Sequence, residues 1–419
     1  MASARLAQNN ALVMTKVTIL QVVPRLDTGG SEQATVEITE ALARAGAVPI
    51  VVSEGGRMAT AISQAGGEII RLPVASKNPL TILGNARKLA RLIEERGVDL
   101  VHARSRAPAW SAFFASRRTG RPFVTTYHGA YSGNAPLKAG YSSVMGRGDR
   151  VIANSLYTAD LVASRQSVAR DRIRVIYRGI DSTTFDPIVV PPGPVTRLRA
   201  RWGVAPGTKI VLHAARLSSI KGQRQTIAAA AQLNKEGALD GAVFVLAGDA
   251  QQGKDAYRQE LIDLIRGHGL DDKVLLVGHC GDMPVAFLAA HVGLVPSLVA
   301  ETFGRTSIEA QAMGCPVIVS DFGALPETIV PANAEERHHT GWLVPPRDVE
   351  CLADRIRLAL QLTPSERAEI GTRVRSRVRA KFELAQMQMM TLAVYDELLG
   401  TDLAELFERP PSLQEVAAP

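Results

Sequence analysis

The chain has 419 residues, 46% hydrophobic and 21% charged, with 35 Gly and 23 Pro. At about 100–200 residues per domain this gives room for two or three domains with real cores, and the composition excludes a disordered or fibrous chain. The net charge of +7 is uneven: residues 1–190 hold 24 Lys/Arg against 14 Asp/Glu (+10), residues 191–419 hold 24 against 27 (−3), which points to an anionic partner on one side only.

Lys16–Val23 is a β-rich run, followed by the turn Asp27-Thr28-Gly29-Gly30 and the apolar-periodic stretch Ser31–Ala45. This reads as strand, loop, helix. The alternation continues through Pro49–Ser53 (strand), Met58–Ala65 (helix), Glu68–Leu72 (strand), Leu80–Arg96 (helix), Asp99–Ala103 (strand) and Ala107–Arg118 (helix). Phe123–Tyr127 and Arg150–Ala153 supply two more strands. The segment Pro191-Pro192-Gly193-Pro194 reads as a linker. Beyond it the series restarts with strands at Lys209–Ala214, Ala242–Ala247, Val274–Val277, Val292–Val295 and Pro316–Val319. Helices are expected between them at Gln223–Glu236, Tyr257–Gly267, Pro284–Ala289 and Ser307–Met313. Strands alternating with helices of this length indicate parallel sheets covered on both faces. Two such series predict an α/β protein of two doubly wound domains, residues 1–190 and 191–383, with ligands at strand carboxyl ends and in the cleft between domains. Leu384–Leu399 reads as one long helix crossing back onto the first domain, and Arg409–Pro419 as a frayed end.

Cys280, Cys315 and Cys351 lie far apart without a CxxC, which fits a reducing cytosol better than a disulfide framework or structural zinc. No signal segment or run of roughly 18 apolar residues is present. The expected location is cytoplasmic.

The segment Pro296–Ile318 carries the most chemistry. An apolar strand ends in a loop bearing Glu301, a glycine turn opens a helix, and Glu309 sits two turns into it. Backbone N–H groups of Phe303-Gly304-Arg305-Thr306 at a helix start would suit a diphosphate. Glu301 and Glu309 would then accept hydrogen bonds from hydroxyls on opposite sides of that phosphate, the layout of a sugar nucleotide. An isolated pair of this kind reads as a surface cap and an exposed charge; the strand before it and Gly304 favour the site.

The run PSLVAETFGRTSIEAQAMGCPVIVSDFGALPE is similar to the signature of the family-four retaining glycosyltransferases of the GT-B fold, with Glu301 and Glu309 as the E-x7-E motif. The resemblance covers nearly the whole chain and implies two Rossmann-like domains facing across a cleft. His213–Gly222 resembles the family's strand-end segment; the cations Arg216 and Lys221 would neutralise a diphosphate leaving group in place of a metal ion. Gly248-Asp249 matches the family's Gly-Asp pair, with Asp249 in a supporting role, and Val277–Met283 resembles the loop facing the nucleobase, His279 and Cys280 forming wall. In the first domain Gly29 and Gly30 resemble the glycine loop that lets backbone approach the donor phosphates, and His128-Gly129 resembles the position beside the transferred sugar. Asn154-Ser155 and Arg178–Asp181 also resemble family positions, but read as a helix cap and a turn.

The resulting expectation is a retaining transferase moving a sugar from a nucleotide-diphosphate donor to an acceptor hydroxyl, with the departing phosphate helping to deprotonate the acceptor and no carboxylate nucleophile. The catalytic set is His128, Arg216, Lys221 and Glu301; the donor is also met by Gly29, Gly30, Asp249, Phe303, Gly304, Arg305, Thr306 and Glu309. No Asp-x-Asp occurs and His338-His339 is isolated, so no metal or other cofactor is expected. Arg104, Arg106, Arg117, Arg118 and Arg121 surround Trp110 and Phe113-Phe114 without an acid, which suits an anionic membrane surface and equally a solvated helix face. A glycolipid acceptor, such as a lipopolysaccharide core, is therefore reasonable. The rivals are a nucleotide-sugar epimerase, a sugar phosphorylase and a non-catalytic sugar-nucleotide sensor. A dehydrogenase lacks its GxGxxG, and a nucleic-acid binder would leave Glu301 and Glu309 without a purpose; no nucleic-acid partner is expected.

Overall fold

The computed structural model describes residues 16–27, 29–129, 136–250, 255–332 and 338–409. Thr28 of the first glycine turn and the end beyond Arg409 lie outside them. The first sheet has seven strands, β1 (Thr18–Val22), β2 (Val48–Ser53), β3 (Glu68–Arg71), β4 (Leu100–Ala103), β5 (Phe123–Tyr127), β6 (Arg150–Ala153) and β7 (Ile173–Val175), in the order β3-β2-β1-β4-β5-β6-β7. β1 pairs in parallel with β2 and β4 and is buried along its whole length, as parallel strands covered on both faces must be. The helices of this part are α1 (Gly30–Arg44), α2 (Ala59–Gln64), α3 (Pro79–Glu95), α4 (Arg106–Thr119), α5 (Pro136–Ser142) and α6 (Leu156–Gln166). In α3, Ile82, Ala86, Leu89, Ala90 and Ile93 form the buried stripe that its helical spacing dictates, and Asn78 caps it by accepting the Leu80 amide at 2.9 Å.

The second sheet has six strands, β8 (Lys209–Ala214), β9 (Ala242–Ala247), β10 (Val274–Gly278), β11 (Val292–Val295), β12 (Val317–Ser320) and β13 (Gly341–Val344), ordered β10-β9-β8-β11-β12-β13. Its helices are α7 (Pro192–Arg201), α8 (Gln223–Lys235), α9 (Asp255–Gly267), α10 (Met283–Ala289), α11 (Arg305–Ala312), α12 (Val349–Gln361) and α13 (Pro364–Lys381). The chain closes with α14 (Leu384–Leu399) and α15 (Leu403–Glu408). In both sheets the order reverses beside the first strand, β1 or β8, which is where doubly wound proteins open a crevice.

Two readings of the sequence are corrected. The segment expected as a Pro-rich linker is the start of α7: Pro191 is its N-cap and Pro192 its first residue, a position where proline loses no hydrogen bond. Arg178–Asp181 is more than a turn, because Ile180 pairs with Glu383, donating to Phe382 O at 2.9 Å and accepting from Leu384 N–H at 2.9 Å. A Cβ on Gly179 would lie 2.5 Å from Leu384 Cα, so only glycine allows this approach.

The residues group into two compact units. One gathers the chain up to Thr125, Arg147–Asp149 and the chain from Thr391 onward; the other holds Thr126–Gly146 and Arg150–Met390. Within the first, Tyr395 meets His102 Nδ1 of β4 at 2.6 Å and Arg44 lies over the Phe407 ring at 4.5 Å, so the long C-terminal helix does return to the first sheet. Below Tyr395, Arg104 is buried and donates twice to Gln21 Oε1, at 2.8 and 3.1 Å; burial holds its guanidinium below the ordinary arginine range.

Candidate active site

The site lies in the second unit, at the carboxyl ends of β8 and β11. After β8 the chain turns at Lys221-Gly222. Gly222 has φ +84°, and a Cβ there would sit 2.1 Å from Pro296 O, so glycine lets the turn press against the segment leaving β11. Leu298 N–H donates to Ile220 O at 2.8 Å and fixes the approach. Lys221 Nζ consequently reaches Glu301 Oε1 at 2.5 Å, and the Ser297 hydroxyl donates to the same carboxylate oxygen.

Lys221, Ser297 and Glu301 line a cavity of about 30 Å³ together with His213, Gly304 and Thr306, room for about one water. His213 is buried against Thr226 Oγ1 at 2.9 Å; burial, and secondarily the Lys221 charge, push it down to about 3, so its imidazole is neutral.

α11 opens on Gly304, whose φ is +123° and which makes no side-chain cap hydrogen bond. A Cβ there would meet Leu325 Cδ2 at 2.6 Å. The first turn of α11 thus points backbone N–H groups and the positive end of its dipole at the cavity. One turn in, Arg305 Nε donates to Glu309 Oε1 at 2.8 Å.

The other expected residues are placed as follows. Arg305 also lines the cavity, whereas Phe303 is buried with Tyr177 and Phe382, ring centroids 6.1 and 5.7 Å away, so only its main chain faces the α11 start. Arg216 is exposed beyond Ala215, its carbonyl accepting from Gln223 Nε2 at 3.0 Å. Asp249 is exposed at the end of β9. Gly248 before it would carry a Cβ 2.1 Å from Ala215 O, and its N–H donates to Gly278 O at 2.8 Å, which draws the ends of β8, β9 and β10 together. His279 is exposed and Cys280 buried. His128 comes to the Glu301 loop through its carbonyl, which accepts from the Thr302 hydroxyl at 3.0 Å. Gly29 and Gly30 belong to the first unit, at the start of α1, where Gly29 likewise gives no side-chain cap.

Sequence reasoning passed over His213, Ser297, Thr302 and Glu327. Glu327 accepts from the Leu156 and Tyr157 amides, each at 2.8 Å, and from the Tyr177 hydroxyl at 2.9 Å. Burial, then the Glu327 hydrogen bond, push the Tyr177 hydroxyl above its usual range. Ser155 caps the same helix, as expected, by accepting the Thr158 amide at 3.0 Å. The signal for Glu327 was its place after Gly323 and Pro326 in the family-like run; its partner, 171 residues away, was not legible. Among the described residues no group of three or more His, Cys, Asp or Glu side chains is placed to hold a metal ion, and no helix is long and apolar enough to cross a membrane.

Residues 28–184 match the Glycosyltransferase Family 4 model and residues 195–377 the Glycosyl transferases group 1 model. A glycosyltransferase structure from Rickettsia africae ESF-5 is 31% identical, covers 92% of this chain and 100% of its own, and superposes with a TM-score of 0.83. The chain belongs to the GT-B glycosyltransferases. Another glycosyltransferase, D-inositol 3-phosphate glycosyltransferase 1 of Catenulispora acidiphila, is 30% identical over 244 residues, or 54% of this chain and 57% of that protein; this chain thus aligns with little more than half of that relative. Anabaena HepE in complex with UDP-glucose shares the GT-B fold at 24% identity, with a TM-score of 0.77 and coverage of 91% and 100%.

Proposed function

We propose that this glycosyltransferase moves a sugar from a nucleotide-diphosphate donor to an acceptor hydroxyl with retention of configuration. The observation that carries the reading is the start of α11 at Gly304, which has no side-chain cap, set beside a lysine and a carboxylate that neutralise each other in the adjoining cavity. A diphosphate at the α11 amides would draw Lys221 away from Glu301 and leave that carboxylate to accept from a sugar hydroxyl. Glu309, one turn into α11, takes the ribose side, and Arg216 and Asp249 move in from the β8 and β9 ends. His128 faces the transferred sugar, and Gly29 and Gly30 serve the phosphates from the first domain. Negative charge on the departing diphosphate is then met by Lys221, Arg216 and the helix dipole, so the reaction needs no added metal.

In this reading residues 1–190 receive the acceptor, residues 191–383 hold the donor, and residues 384–400 return to the first domain. The acceptor is a glycolipid or saccharide of the cell envelope, with lipopolysaccharide synthesis as the leading case, handled at the cytoplasmic face of a membrane. Support comes from the face of α3 and α4, where Leu80, Leu83, Phe114 and Arg118 are exposed and Arg117 lies 5.4 Å from the Phe113 ring. The basic stretch is smaller than the sequence suggests, because Arg117 pairs with Asp149 at 3.0 Å, Arg121 with Asp99 at 3.8 Å, and Arg104 is buried. Replacing Arg117 and Arg118 by Ser should reduce binding to anionic vesicles several-fold; unchanged sedimentation with vesicles would remove the membrane from the proposal.

The donor site is tested by thermal shift with UDP-, GDP- and ADP-sugars and their free nucleotides in metal-free buffer, starting from UDP-glucose. One nucleotide class should raise the Tm of the wild type and not of Glu309→Ala. No shift with any of them, in folded protein, contradicts the reading; a shift without transfer to any acceptor favours the sensor.

A further inference from the structure

Thr302 follows Glu301 directly, and its hydroxyl and carbonyl meet the segments that follow β5 and β6 and the first turn of α6. Its hydroxyl donates to His128 O at 3.0 Å and accepts from Asn154 Nδ2 at 3.4 Å. Its carbonyl accepts from Thr158 Oγ1 at 3.2 Å. The Glu301 main chain is held on its other side: Glu301 bridges Gly323, and its carbonyl accepts from Ala324 N–H at 2.9 Å. A Cβ on Gly323 would lie 2.5 Å from Glu301 O, so the two strands of chain touch backbone to backbone. Three residues beyond Ala324, the Glu327 carboxylate fastens the start of α6, whose third amide is already taken by Ser155. The Glu301 loop, the His128 segment and α6 therefore form one hydrogen-bonded block. Thr302 is the residue in it that touches both chain segments bearing expected catalytic side chains.

We propose that Thr302 is a positioning residue, whose hydroxyl fixes the His128 main chain against the Glu301 loop so that both side chains address the same donor sugar. The inference rests on the transferase reading above. Its physical basis is that a misplacement of about 1 Å between groups acting on one reactant costs on the order of a hundredfold in rate, while the nucleotide is gripped elsewhere, at α11 and Lys221. The hydroxyl thus governs turnover and leaves nucleotide affinity alone. Threonine suits the task because its branched Cβ restricts χ1, aiming the hydroxyl without help from further packing.

The experiment compares wild type, Thr302→Val and Thr302→Ser. Valine keeps the shape and removes the hydrogen bonds; serine keeps the hydroxyl. Steady-state transfer or donor hydrolysis should show kcat lowered about ten- to a hundredfold in T302V, with the donor KM and the Kd for the free nucleotide within about twofold of wild type, and kcat largely restored in T302S. Hydrogen exchange of the unliganded protein, read on the peptide spanning residues 126–129, should speed up about tenfold in T302V and return in T302S. An unchanged kcat in T302V overturns the proposal. So does an equal loss in T302S, or nucleotide affinity falling in step with kcat, either of which marks a purely structural residue. If the wild type turns over no donor, the transferase reading fails, and the exchange measurement still decides whether Thr302 restrains the His128 segment; an unaltered 126–129 peptide in T302V rejects that restraint.

Discussion

The starts of α6 and α11 solve the same problem in opposite ways. Both helices leave the carboxyl side of a parallel sheet, and both must deal with amides that have no partner within the helix. In α6 the protein fills the position itself, with Ser155 on the third amide and Glu327 on the first two. In α11 Gly304 offers no side chain, and the facing Lys221 and Glu301 are engaged with each other. The α6 start is closed by side chains of the protein itself, whereas in the reading proposed above the α11 start, without a side-chain cap and next to Lys221, would take the phosphates of the donor.

The largest effect should come from closing the open start. Gly304→Val places a side chain at φ +123° against Leu325 and Thr328, at a cost of about 1–3 kcal/mol in backbone strain, and must displace the start of α11. Nucleotide binding by calorimetry should weaken at least a hundredfold, and retained affinity would show that the α11 start is not the phosphate site. Opening the closed start should be milder. Glu327→Gln leaves one of the Leu156 and Tyr157 amides without an acceptor and removes the charge from the dipole end, so unfolding should become easier by about 1–3 kcal/mol with nucleotide affinity unchanged. Urea denaturation beside a binding titration separates the two quantities, and a loss of affinity equal to that of Gly304→Val would erase the contrast between the helices.

A comparable effect on stability is spread over the acid range and involves His213 in the cavity wall and His291 just before β11. His213 at about 3 and His291 at about 4 both lie below the unfolded value near 6.5. Below that pH the unfolded chain binds protons that the folded chain refuses, so stability is present above about pH 6.5 and is lost as pH falls toward the folded values. The slope for buried His213 is at most about 1.4 kcal/mol per pH unit, and half-exposed His291 adds less. Urea midpoints between pH 7 and 4.5 should fall, and His213→Asn should flatten the lower part of the curve; identical slopes would mean that His213 takes up its proton without unfolding.

Much of this arrangement was legible in the chain because it rests on local pattern. The buried runs of β1, β2, β8 and β9 and the amphipathic stripe of α3 announce themselves by composition and period, and Gly304 between two glutamates marks the open helix start. What was missed depends on distant partners. α13 reads as polar over most of its length and buries only Ile370, Gly371, Val374 and Val378, a stripe too narrow to stand out. α6 is short, and two of its orphan amides are answered from beyond residue 320. Phe303 was expected to belong to the phosphate loop through its neighbours in sequence, yet its side chain is claimed by Tyr177 and Phe382, which no local rule brings near. Pro192 looked like punctuation and is a helix start, since the same residue serves both.

The contact between Tyr395 and His102 spans 293 residues of chain. On a ribosome adding about 5–20 residues per second, β4 waits roughly 15–60 s for the helix that covers it. During that interval the carboxyl end of β4, with His102 and Arg104, lacks the helix that carries Tyr395. The first sheet thus receives the helix bearing Tyr395 only after every strand of the second sheet has been synthesised.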